Sequence, residues 1–175
     1  MRTRLRAEAG IGLVELLIAM TVLSVALLAL VAAFSSGALT LRRAGQTSTA
    51  AALADQQMEL YRGLKYCAIR LDDGSVPGAA PYSSDAAYSG SQVLDTALCS
   101  GVAQPCTSGP PNECDASRDV TGPDGRRYRV DTYIVYETPS GGRELKQVTV
   151  VVRDGDELTA RGLVRVSSGF DRISG

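Results

Sequence analysis

Histidine is absent from the 175 residues. That removes the commonest general base and the commonest metal-binding side chain, and most of the expectation of hydrolase, transferase or zinc chemistry goes with them. An excess of either charge is missing too. The 18 Lys and Arg stand against 19 Asp and Glu, so no whole-molecule field would gather nucleic acid or an acidic substrate. No P-loop, nucleophile elbow, dinucleotide fingerprint or recognisably spaced carboxylate cluster occurs. The chain is therefore not expected to be an enzyme, and no cofactor, resident metal or small-molecule substrate is expected. The last shortage is local: from Ile11 to Leu41 the only ionisable side chain is Glu15.

What fills that stretch is apolar, and it exceeds the ~20 residues that a helix needs to cross a bilayer core. A single membrane span is the economical reading. Arg2, Arg4 and Arg6 precede it and favour a cytoplasmic N-terminus, whereas Arg42 and Arg43 on the far flank argue the other way. Four cysteines, Cys67, Cys99, Cys106 and Cys114, all follow the span without CxxC spacing. An even count in a loop-rich region suits an oxidising compartment, so the part beyond the span is expected outside the cytoplasm with two disulfides. Three pairings are open.

Helix is expected to continue from the span to about Tyr66, since no proline interrupts it and Ala50, Leu53, Ala54, Gln57, Leu60, Tyr61 and Leu64 recur at steps of three and four. Ser35, Ser36, Gly37 and Gly45 are its expected points of bending. Residues 67–127 are rich in Gly, Pro, Ser, Asp and Asn and read as a long loop region. Beyond it, Tyr128–Tyr136, Gln147–Arg153 and Leu158–Ser167 are rich in Val, Ile, Thr and Tyr, and turn residues separate them. Three antiparallel strands are expected within 128–175. Tyr128, Val130, Thr132, Ile134 and Tyr136 would share a face with Val148, Val150 and Val152 and cover the helix stripe, giving an α+β fold.

The most specific feature is Gly10 followed by Ile11-Gly12-Leu13-Val14-Glu15-Leu16. A short basic leader ending in Gly, four mostly apolar residues, Glu and an unbroken hydrophobic helix together resemble the prepilin processing site of type IV pilins and type II secretion pseudopilins. The match is close over about the first thirty residues, and beyond them only the architecture is similar. The resemblance implies cleavage of leader 1–10 after Gly10 by a prepilin peptidase, N-methylation of Ile11, and an assembly role for Glu15. It divides the rest into an assembly helix over 11–41, an amphipathic continuation over 42–66, and the loop and sheet regions. It implies a minor pilin or pseudopilin, with other pilins, the peptidase, the assembly platform and the membrane as partners, first in the cytoplasmic membrane and then in a pilus or pseudopilus. Ile11 replaces the Phe, and Ala32 the Pro, frequent in major pilins, which turns the resemblance away from a bulk filament subunit.

A carboxylate one turn into a span costs several kcal/mol (roughly) unless paired or near the interface. The amino terminus that cleavage creates at Ile11 of a neighbour would pair with Glu15. Other readings are a Glu15 that reaches the headgroups in a plain anchor, a signal peptide cut after Ala33 in Val31-Ala32-Ala33, and a tethered extracytoplasmic binding module or adhesin that never polymerises. Asp154-Gly155-Asp156-Glu157 and Asp72-Asp73-Gly74 lack the ligand spacing of a calcium loop. Arg126, Arg127, Tyr128 and Arg129 read as a strand start rather than a nucleic-acid contact.

Overall fold

The computed structural model describes residues 12–94, 114–157 and 161–172. By contacts the chain divides into two compact units, Met1–Ala44 and Gly45–Gly175. One helix, α1 (Leu13–Arg62), belongs to both. Its helical assignment is continuous through Ser35, Ser36, Gly37 and Gly45. It stops short of Tyr66 at Gly63, whose N–H still bonds the Glu59 carbonyl at 3.0 Å before the chain turns into a single 3-10 turn at Tyr66–Ala68.

The second unit is α+β. Its sheet has four strands, not three: β1 (Ser117–Thr121), β2 (Arg127–Glu137), β3 (Leu145–Asp154) and β4 (Val164–Asp171), antiparallel throughout in the order β1-β2-β3-β4. The additional strand lies inside the segment read as loop. Ser-Arg-Asp-Val-Thr has little apolar content to signal a strand, and β1 is defined by pairing Ser117 with Asp131 and Thr121 with Arg127 on the neighbouring strand. β4 covers Val164–Asp171 where the sequence suggested Leu158–Ser167, of which residues 158–160 lie outside the described part.

Alternation gives the sheet two unlike faces, because successive side chains of a strand point to opposite sides. On the first, Tyr128, Val130, Thr132 and Ile134 join Val148, Val150 and Val152, and all seven are buried. The helix residues Ala50, Leu53, Ala54, Met58 and Tyr61 complete the core there, with Leu60 and Leu64 at its margin. The expected stripe is present, except that Met58 joins it. Tyr136, at the end of its row, stays 46% exposed. Contact is tight at Gly122, in the turn between β1 and β2: a Cβ there would stand 2.7 Å from the Tyr128 ring and 2.8 Å from the Thr49 methyl.

Loop residues cover the second face, and with charge. Tyr82 stacks on Tyr133 at 4.4 Å between ring centres. Asp131, wholly buried, accepts from Arg129 at 2.8 Å, Ser117 at 2.7 Å and Arg153 at 2.9 Å. Arg153 also pairs with Asp85, which accepts from Arg165 at 2.6 Å and from the Ala87 N–H at 2.9 Å. Removing charges from water is costly, and the arrangement survives because every carboxylate oxygen in it has a donor. Burial pushes the Asp85 carboxyl up, but the bonds from Arg165, Ala87 and Arg153 outweigh it and hold the carboxyl below its ordinary range.

Gly122→Ala is expected to cost about 1–3 kcal/mol by overpacking the helix against the turn, read as a lowered denaturation midpoint in detergent. Asp85 ionises more readily folded than unfolded, so it contributes stability above about pH 4 that is lost as the pH falls through its folded pKa. Asp85→Asn should therefore cost about 3 kcal/mol at pH 7, near the lower end for a broken buried pair because Arg153 keeps Asp131. The variant should also lose less stability than the parent between about pH 5 and pH 2; equal slopes in acid titrations of the two would contradict this.

Candidate functional site: an apolar helix with one acidic residue

Among the described residues, the first unit offers a single chemical feature, the N-terminal part of α1. The Gly12 carbonyl opens the helix by accepting from the N–H groups of Glu15 at 3.0 Å and Leu16 at 3.2 Å. Glu15 lies in the first turn, exposed, where the unpaired N–H groups of a helix favour negative charge. After it come apolar residues on every side. Leu16, Leu17 and Ile18 point about 100° apart, yet all are more than half exposed, as are Phe34, Leu39 and Leu41 further along. A helix that is apolar all round is one that something other than water must surround.

Three of its polar side chains bond back onto the helix rather than outward. Thr21 Oγ1 donates to the Ile18 carbonyl at 2.8 Å, Ser24 Oγ to Met20 at 2.8 Å, and Thr40 Oγ1 to Ser36 at 3.0 Å. Each hydroxyl is spent on its own helix, as isolated Ser and Thr do where no outside partner is at hand. Length and composition together make α1 able to cross a membrane, and it is the one such helix among the described residues.

Of the residues singled out by sequence, Gly10, Ile11, Cys99 and Cys106 lie outside the described part. Cys67 and Cys114 are disulfide-bonded rather than free thiols. Cys67 sits in the Tyr66–Ala68 turn, and the Cys114 carbonyl accepts from the Asp72 N–H at 3.2 Å. The acidic turn after β3 has donors of its own: Asp154 accepts from Gln46 at 2.7 Å, and Asp156 pairs with Arg127 at 2.5 Å. No cluster of metal-binding side chains occurs among the described residues. A polar hollow of about 460 Å³ opens beside Pro77, Ser117, Arg118, Asp119, Arg127 and Arg129. Its two β2 arginines are already paired with Asp156 and Asp131, and Asp119 adds negative charge to the rim.

Sequence reading missed Lys146. Its ammonium is buried, donates to the carbonyls of Tyr66 at 2.9 Å and Ile69 at 2.8 Å, and lies 4.7 Å from the centre of the Tyr66 ring. Burial pushes its pKa down to about 8. Lys146 ties the turn that carries Cys67 to β3, a structural task that no local pattern advertises.

Compared with known proteins, the chain matches no family model, no curated protein and no solved structure.

The uncovered apolar surface has a direct consequence in solution. The full chain should sediment as a single species only with detergent or lipid, and should associate into large particles when detergent is withdrawn; a monodisperse sample in plain buffer would contradict it.

Proposed function

We propose that this chain is a structural subunit of a type IV pilus or type II secretion-like filament, a minor pilin or pseudopilin, and not an enzyme. The observation that carries the reading is a helix apolar on every side whose only early charge is Glu15 in the first turn, joined to a separately packed α+β unit. Its helix is inserted in the cytoplasmic membrane with the second unit outside, and two disulfides among Cys67, Cys99, Cys106 and Cys114 pin the loop region. A peptidase cuts after Gly10, the new terminus at Ile11 is methylated, and the helix then moves from lipid into a bundle with other pilins on the assembly platform.

The physical logic is a charge waiting for its counter-charge. Before cleavage Ile11 is a peptide nitrogen; afterwards it carries an ammonium. Set beside Glu15 of a neighbouring subunit, that cation would neutralise the carboxylate in surroundings where an unpaired charge is expensive, and it would fix the stagger between helices. Packing of apolar surface supplies contact but little register, so the ionic pair decides which offset is stable.

N-terminal sequencing of the protein recovered from its native membrane should read from Ile11, and Glu15→Ala should abolish incorporation into filaments while leaving the membrane-bound amount unchanged. A chain starting at Met1 whose Glu15 variant behaves like the parent would instead be a tether, and one starting at Phe34 would be a secreted domain.

A further inference from the structure

The polar hollow beside β1 belongs wholly to the second unit, and Arg129 stands in its wall with its position already fixed. Its Nε donates to Ser117 Oγ at 2.7 Å and to Asp131 Oδ1 at 2.8 Å, and its side chain is only 13% exposed. Those bonds use one of the five N–H groups of the guanidinium. The other four, on the two terminal nitrogens, make no hydrogen bond among the described residues. Pairing with Asp131 thus orients the fork without exhausting it.

Charge alone would not fill this hollow. Arg118, Arg127 and Arg129 are matched by Asp119 on the rim and by Asp156 and Asp131, the partners of the last two. A bare dianion such as phosphate finds no surplus of positive charge there and meets the Asp119 carboxylate. A planar carboxylate asks for less, since it brings one charge and takes two parallel N–H bonds from a single fork. Asp119 is exposed, and its carboxylate accepts no hydrogen bond among the described residues. It can accept one from a hydroxyl carried next to the ligand's acid group. We propose that the hollow binds an acidic sugar, its carboxylate on the terminal nitrogens of Arg129 and a ring hydroxyl on Asp119. The volume falls in the range of small-molecule sites and leaves room for a sugar ring. Nothing in this assignment depends on the membrane or filament reading.

The test titrates the full chain in detergent with galacturonate, galactose, acetate and phosphate, read by calorimetry. Galacturonate should bind at least about tenfold more tightly than galactose, whose ring carries a hydroxymethyl group in place of the carboxylate, and more tightly than acetate or phosphate. Arg129→Gln should remove the preference over galactose. Asp119→Ala, at a rim position that leaves the pairs of Asp131 intact, should lower the ratio of galacturonate to acetate affinity at least about fivefold, because the sugar loses an acceptor while acetate escapes repulsion. This second variant decides the matter alone should Arg129→Gln not fold. Equal affinity for galacturonate and galactose, phosphate bound more tightly than galacturonate, a preference that folded Arg129→Gln retains, or a ratio that Asp119→Ala leaves unchanged would each overturn the site.

Discussion

Burial of Ala50, Leu53, Ala54, Met58 and Tyr61 against β2 and β3 is the contact on which the folded unit depends. A twisted sheet of four strands cannot keep its inner face dry alone, and a helix with one apolar stripe is a poor helix in water unless something covers that stripe. Each supplies what the other lacks. The fit is close enough that Gly122 has no room for a Cβ between Thr49 and Tyr128. Small residues on the helix, Ala50 and Ala54, allow that approach, while the bulk comes from tyrosines and valines of the sheet.

The opposite face follows another logic. Asp131, Arg153 and Asp85 are almost fully withdrawn from water, where an apolar trio of equal volume would often be as stable or more so. What charge adds is selectivity of fit: the segment around Asp85 docks only where Arg153 and Arg165 both reach it, whereas a greasy loop would accept many positions. Tyr82 and Tyr133 reinforce that choice by donating their hydroxyls to each other's strand or loop, at the carbonyls of Thr132 and Tyr82.

Periodicity made much of this legible in advance. The stripe on α1 and the alternating valines of β3 are repeats, and repeats state directly which side is to be covered. The features that escaped are those without repeats. β1 contains one aliphatic residue in five and owes its state to its neighbour, so tertiary pairing overrode a weak local preference. Asp85, Arg153 and Lys146 look like surface residues in sequence, and only the fold brings partners to them across 22 to 80 positions. The helix end was overestimated because Gly63 is a weak stop without a following proline. For the candidate site, the absence of charge located the helix and singled out Glu15, yet nothing in the residue pattern says what should surround it.

The hydroxyls of Thr21 and Ser24 turn back onto their own helix, which leaves residues 16–34 of α1 as a rod whose coat is chemically the same from every direction. Such a rod can spin about its axis, or slip lengthwise past a similar one, without giving up any directional bond. Orientation and axial position must then be dictated from its tips, where the charges are, rather than from its shaft.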